Sequence, residues 1–185
     1  MPVRGLVGYR GGMDEDDLDL RLDDLALRRA TDADAPAIQA TLAADPSTWA
    51  LLEGAPLRAD EAQYVLADRP PGVPPERKAV YVADDACVLD LLRGFPDPDI
   101  WYLGLIFLTP ARRGAGLGTR VIQALAREVR ARGGAALRLA VVVENVAARR
   151  LYDRLGFMHV ARRTRPTASG SHEVDVMELD LRRMS

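Results

Sequence analysis

The sequence predicts a single α/β (α+β) domain, with a central mixed β-sheet of about seven strands flanked by about four helices. Three observations carry this expectation. The length of 185 residues suits one domain. Short apolar segments of strand character alternate with segments of helical periodicity, the pattern of a sheet covered by helices. Residues 78–108 read as three strands in a meander, whereas 100–143 read as strand–helix–strand, a crossover that should be parallel and right-handed.

Residues 1–24 begin with glycines and continue through Asp14, Glu15, Asp16, Asp17, Asp19, Asp23 and Asp24. Blocks of like charge are usually solvated. This segment is expected to be a flexible acidic tail, with Leu18, Leu20 and Leu22 adding a weak edge segment, and the domain to span 25–185. LALRRA (25–30) reads as a short strand. Asp32 or Asp34 then offers an N-cap, Pro36 suits a first helical turn, and Ile38 and Leu42 begin an apolar stripe. Asp45-Pro46 should end that helix, and a second helix is expected over 58–67. RPPGVPPER (69–77) is too rich in proline for anything but a loop.

Strands follow at 78–83, 86–93 and 100–108. The third is apolar nearly throughout, which predicts burial on both faces in the middle of a sheet. Gly104 within it marks a bulge or a close backbone approach. In the next helix Leu117, Val121, Leu125 and Val129 recur every four residues as a core stripe, and Gly133-Gly134 ends it. LRLAVVV (137–143) reads as another buried strand. NVAARRLYDRL (145–155) reads as a helix stopped by Gly156. Strands at 157–163 and 173–181 close the domain. In the last of them the apolar phase slips between Val176 and Met177, which predicts a bulge.

Composition excludes several function classes. A formal net charge of -2 gives no reason to invoke nucleic acid as a partner. Cys87 is the only cysteine and His159 and His172 the only histidines, so neither a disulfide framework nor a zinc cluster is expected, and no metal. No apolar run reaches the ~18–20 residues of a membrane span. The first residues lack the apolar stretch of a signal peptide. A cytoplasmic setting without membrane contact is the expectation. Lys78 is the only lysine, so nearly all positive charge is arginine. Arg112, Arg113, Arg120, Arg127, Arg130, Arg132, Arg138, Arg149, Arg150 and Arg154 crowd one stretch, opposed there only by Glu128, Glu144 and Asp153. Such a field suits a small polyanion.

The loop Arg113-Gly114-Ala115-Gly116-Leu117-Gly118 lies between a buried strand and an amphipathic helix. Helix N-termini carry unpaired N–H groups and partial positive charge. Glycine lets a phosphate approach the backbone. The segment therefore reads as a pyrophosphate cradle. A P-loop would need a lysine after the glycines, and a dinucleotide fingerprint would need glycine where Thr119 stands.

The spacing resembles instead the acyl-CoA loop of the GNAT N-acetyltransferases, [RQ]xxGxG/A, with Arg113, Gly116 and Gly118 in place and Pro110 before them. A second constellation strengthens this. Asn145, Ala148, Leu151, Tyr152, Gly156 and Phe157 match the family signature NxxAxxLYxxxGF at each position. At 100° per residue Asn145, Ala148 and Tyr152 share one helix face. Asn145 and Tyr152 then stand about 10 Å apart along the axis. A pantetheine arm crossing this face meets an amide at one end and a phenol near its sulfur at the other.

The resemblance implies a sheet splayed between 100–108 and 137–143, with acetyl-CoA in the gap. Backbone groups at Ile106, Phe107 and Leu108 would hold pantetheine. Arg113, Gly114, Gly116, Gly118 and Thr119 would hold the pyrophosphate, and Asn145 the arm. Tyr152 would act as general acid towards the leaving thiolate. The acetyl group would pass directly to a primary amine of a small molecule or peptide. A homodimer is the assembly the resemblance implies. A catalytically weak CoA-binding sensor and a nucleotide-binding protein are the competing readings.

No base follows from the motifs. Some family members carry a glutamate five positions before the asparagine; Ala140 stands there, which argues against the branch that acetylates ribosomal-protein N-termini. Asp90, Asp97, Asp99, Glu173, Asp175 or a water are the candidates. Cys87, in an apolar strand without a local histidine, reads as a structural thiol. Trp49, Leu52, Tyr64 and the 69–77 loop are expected to wall the acceptor region.

Overall fold

The computed structural model describes residues 17–83, 85–167 and 169–184. Its strands are β1 (Leu20–Leu22), β2 (Leu25–Arg29), β3 (Lys78–Ala83), β4 (Cys87–Arg93), β5 (Ile100–Leu108), β6 (Ala136–Val142), β7 (Met158–Thr167) and β8 (Gly170–Asp180). They form one sheet in the order β1-β2-β3-β4-β5-β6-β8-β7. Every neighbouring pair is antiparallel except β5 and β6, which the helical crossover makes parallel.

The helices are α1 (Ala35–Ala43), α2 (Pro46–Glu53), α3 (Glu61–Ala67), α4 (Leu117–Ala131) and α5 (Val146–Arg154). The edge segment expected around Leu18, Leu20 and Leu22 forms β1, the eighth strand, and the helix set gains α2 relative to the sequence expectation. Leu18 and Leu20 are buried, so the packed unit begins before Leu25. The earlier part of the expected tail, 1–16, lies outside the described residues. Asp45-Pro46 does end α1, but the same dipeptide starts α2. The Asp45 side chain accepts from the Thr48 N–H at 3.0 Å, and Pro46 occupies the first helical position, where a missing N–H costs nothing.

Two cores sandwich the sheet. On one face α4 and α5 cover Leu89, Leu91, Leu103, Leu137 and Leu139 with Val121, Leu125, Val129 and Tyr152, joined by Phe157 from the turn after α5. On the other, α1, α2 and α3 place Ile38, Leu42, Trp49 and Ala62 over Val80, Val82, Val88 and Phe107. Each fully buried side chain of this size stabilises by roughly 1.5–3 kcal/mol relative to exposure.

The sheet splits at its centre. β5 and β6 pair only over Ile100–Leu103 and Ala136–Leu139. Beyond that point β5 follows β4 and β6 follows β8. The divergence begins at a bulge: Leu103 faces Leu91 and Leu105 faces Asp90, leaving Gly104 as the extra residue. A Cβ at Gly104 would lie 2.9 Å from Asp90 Oδ2, so both readings of this glycine hold together. The phase slip in β8 also coincides with a bulge. Its extra residue, however, is Val160 on β7, since β8 keeps continuous register with β6. No helix among the described residues is long and apolar enough to cross a membrane.

Candidate active site

The split between β5 and β6 opens into a cleft of about 1080 Å³, and all ten residues singled out in the sequence line it: Ile106, Phe107, Leu108, Arg113, Gly114, Gly116, Gly118, Thr119, Asn145 and Tyr152. The glycine loop supplies one end. Gly114 and Gly116 take φ of +84° and +77°, a region other residues enter only with strain. The space where their Cβ atoms would stand is open to 4 Å. Gly116 is the N-cap of α4, whose first intrahelical bond runs from Arg120 N to Gly116 O at 3.1 Å. The N–H groups of Leu117, Gly118 and Thr119 therefore have no partner within the helix. Gly118 is helical, and a Cβ there would make ordinary contacts with Leu108 and Leu151. Its contribution is its N–H and not its conformational freedom.

β5 supplies a free backbone edge. Thr109 donates its N–H to Ala86 O across the β4 side at 3.0 Å. Peptide groups alternate along a strand, so those of Leu105 and Phe107 also face β4, and those of Ile106 and Leu108 face the gap. Leu108 O indeed accepts from Arg113 Nε at 2.9 Å. The peptide group of Phe107, expected to hold pantetheine, therefore faces β4 and not the gap; Phe107 meets the cleft from within the core, its ring centroid 6.3 Å from that of Trp49.

α5 supplies the opposite wall. Asn145 caps the helix: its Oδ1 accepts from Ala148 N at 3.1 Å, leaving the amide N–H groups as the part able to reach a ligand. Ala148 and Tyr152 follow on the same face. Tyr152 is buried, with its ring centroid 5.4 Å from that of Phe157. Burial pushes its phenol up to about 12, so the group is protonated at neutral pH. Cys87, buried in β4, is pushed up to about 12 for the same reason and remains a thiol.

Several features of the cleft escaped the sequence reading. Arg113 does not point freely into it: its Nη1 lies 2.5 Å from Asp45 Oδ2 and 3.3 Å from Thr48 Oγ1, tying the loop to the N-terminus of α2. Four donors, from Ser47, from Thr48 twice and from Arg113, hold the Asp45 carboxyl well below the usual carboxylate range. Arg112 and Arg154 also line the cleft and form no ion pair among the described residues. The far half is walled, as expected, by Trp49, Leu52, Tyr64 and the start of the 69–77 loop at Arg69 and Pro70, and also by Phe95 and Tyr102, which were not expected. Arg165 of β7 crosses to α2, where it donates to Leu52 O and pairs with Glu53.

Of the five candidate acids only Asp90 lines the cleft. Asp97 and Asp99 are exposed in the turn before β5. Glu173 is exposed and accepts from Thr164 Oγ1 at 2.6 Å. Asp175 is gripped by Arg149 at 2.5 Å, Arg162 at 2.9 Å and His159 at 3.3 Å. Ala140 lines the cleft with no acidic function to offer.

Comparison with known proteins is consistent with this arrangement. The sequence pattern of the acetyltransferase (GNAT) family matches residues 44–157. No curated protein matches by sequence. Among solved structures the fold is similar to that of a GNAT-family acetyltransferase from Chromobacterium violaceum, with TM-score 0.71 and 18% identity, over 98% of this chain and 96% of that one. It is similar to the ribosomal-protein-S18-alanine N-acetyltransferase of Escherichia coli, with TM-score 0.62 and 22% identity, over 86% and 94%. It is also similar to an acetyltransferase structure from Salmonella typhimurium that holds acetyl-CoA, with TM-score 0.58 and 21% identity, over 88% and 96%.

Proposed function

The chain belongs to the acetyltransferase (GNAT) family and is an acetyl-CoA-dependent N-acetyltransferase, and we propose that it passes the acetyl group directly to a primary amine of a small molecule or peptide bound between β5 and α2. The observation that carries this reading is the meeting of three features in one cleft: an unpaired helix N-terminus, a free strand edge and a protonated buried phenol.

The residues present fit acetyl-CoA. The αL turns at Gly114 and Gly116 leave room for phosphate oxygens against the N–H groups of Leu117, Gly118 and Thr119. Arg113 holds the loop to α2 and lies beside this cradle; Arg112 and Arg154 add positive charge. Ile106 and Leu108 offer peptide groups towards the gap, in the spacing a pantetheine amide chain can pair with, and Asn145 offers its amide from across it. When bound, the cosubstrate supplies the acetyl thioester.

A backbone N–H of β5 polarises the thioester oxygen, and stabilising charge that develops there is commonly the largest catalytic contribution. Tyr152 donates its proton to the departing sulfur. A phenol near 12 is a poor acid in water for a thiolate whose ordinary conjugate pKa is about 8.5. Burial disfavours a thiolate as it does a phenolate, as the raised Cys87 thiol shows, so a sulfur leaving beside buried Tyr152 would also be a stronger base than in water.

A homodimer, the assembly implied by the resemblance, would use the open edge of β7, where Met158 and Val160 are exposed.

The test of the assigned site is Tyr152→Phe. Turnover should fall at least ~100-fold, while acetyl-CoA still raises the melting temperature as in the parent protein, and more than ATP or NAD does. Unchanged turnover removes Tyr152 from the chemistry. A larger shift with ATP or NAD contradicts the cofactor assignment.

A further inference from the structure

We propose that Asp90, anchored by Lys78 beneath the Gly104 bulge, is the residue that takes the proton from the incoming amine. This rests on the N-acetyltransferase reading and names the group that reading lacks. Asp90 and Lys78 occupy neighbouring strands on the face covered by α1–α3, and both line the cleft. Lys78 Nζ lies 2.9 Å from Asp90 Oδ2, with side-chain exposures of 5% and 17%. Oδ2 is thus occupied, whereas Oδ1 is buried without a hydrogen-bond partner. Buried polar atoms are nearly always paired. The carboxylate is thus incompletely paired, and its side chain still reaches the cleft with 17% exposure, so a donor arriving there has an acceptor to meet.

The position suits the reaction. Asp90 stands opposite Leu105, one residue, or about 3.4 Å of strand, before Ile106, whose peptide group faces the gap. Gly104 has no side chain to crowd the carboxylate, whose Oδ2 a Cβ there would approach to 2.9 Å. The charged and titratable neighbours are few. Lys78 comes from β3, Tyr102 shares the same face of β5, and Asp68 follows α3. The other carboxylates of this half, Glu53 and Glu61, are already paired with Arg165 and Arg58. Burial, followed by the charge on Asp68, raises the Asp90 carboxyl above its usual range, and Lys78 opposes that rise. A carboxylate so placed is a stronger base than an exposed one.

The protons balance. An alkylammonium enters and one N–H bond breaks as the proton passes to the Asp90 carboxylate. The freed lone pair forms the C–N bond at the thioester carbon, and the C–S bond breaks. Tyr152 gives its proton to sulfur. The new amide nitrogen loses its second proton to solvent, from which Tyr152 is reprotonated, and Asp90 releases its proton as product leaves. The sum is ammonium plus acetyl-CoA to amide, free thiol and one proton.

The test uses full-length protein, thiol release from acetyl-CoA, and phenethylamine, spermidine and a tripeptide with a free N-terminus as acceptors, between pH 6 and 10. In the parent protein, turnover with at least one acceptor is expected; none with any overturns the N-acetyltransferase reading and this one together. Asp90→Asn should lower kcat at least ~100-fold and abolish the acidic limb of the pH profile, with the acetyl-CoA thermal shift retained. Lys78→Met removes the cation that favours the carboxylate, so the acidic limb should move to higher pH. If the parent turns over and Asp90→Asn keeps kcat within threefold with the limb in place, Asp90 is not the base. Should Asp90→Asn fail to fold, Lys78→Met decides, and an unmoved limb overturns the proposal.

Discussion

At Gly104 a single hydrogen atom separates a working cleft from a collision. A methyl group there would lie 2.9 Å from a carboxylate oxygen that is held in place by Lys78. Gly104→Ala must therefore push Asp90 aside or distort the bulge. Overpacking of this kind costs about 1–3 kcal/mol. Thermal unfolding should show that loss, and the acetyl-transfer rate should fall with it. The glycine was legible as a bulge because it interrupts an apolar strand. The identity of its neighbour was not. Asp90 appeared as one of five scattered acids, and choosing among them required the register shift that sets Leu105 and not Gly104 opposite it. Lys78 and Asp90 both stand on the buried phase of apolar strands, where a lone charge needs a partner, and that pattern marks them as a pair.

At the scale of the element, α2 shows how one dipeptide serves two helices. Asp45-Pro46 reads as a stop, and a stop is what periodicity before it supports; nothing short of the Asp45 cap reveals that a second helix starts there. Asp45→Ala should destabilise the protein by about 1 kcal/mol, the usual worth of a cap. Asp45→Asn, which keeps a capping oxygen but loses the charge that holds Arg113, should cost less. Denaturant titration of the two variants separates the cap from the ion pair. The pH dependence has a definite sign. The Asp45 carboxyl is depressed in the folded state, so its contribution is present above the unfolded value of ~3.9 and is lost as pH falls through the folded value. Asp90 works the other way. Its raised folded pKa means that stability declines as pH rises from ~3.9 through the folded value. Asp90→Asn should therefore flatten stability above pH 4, and Asp45→Asn should flatten it below, in melting curves taken across that range.

For the whole molecule, the near-neutral charge of -2 conceals an uneven distribution, but the fold tempers the arginine excess seen in the sequence. Arg120 is paired with Asp24, Arg132 with Glu128, Arg138 with Glu178, and Arg149 with both Asp153 and Asp175. Two of these partners, Glu178 and Asp175, come from β8, and Asp24 comes from the segment between β1 and β2. Sequence proximity cannot show such pairings because they depend on which strands become neighbours. Arg112 and Arg154 are left facing the cleft. Alanine at either position should raise the KM for acetyl-CoA several-fold in dilute buffer, and the effect should shrink at ~1 M salt, where the screening length is about 3 Å. The overall architecture was legible in the alternation of strand and helix and in two motifs between Arg113 and Phe157. Of the acceptor half, Trp49, Leu52, Tyr64 and the 69–77 loop were legible; the parts supplied by β4, β5 and β7 were not, because no recurring pattern shows which strands become neighbours.

Acetyl transfer itself is the claim on which the rest depends. Incubating the protein with acetyl-CoA and the panel of primary amines, and following free thiol together with the mass of the amine, tests it most directly. Thiol should be released in equal amount to an amine product heavier by one acetyl group. Stabilisation by acetyl-CoA with neither thiol nor acetylated amine, across the panel, would contradict it and leave a CoA-binding sensor in its place.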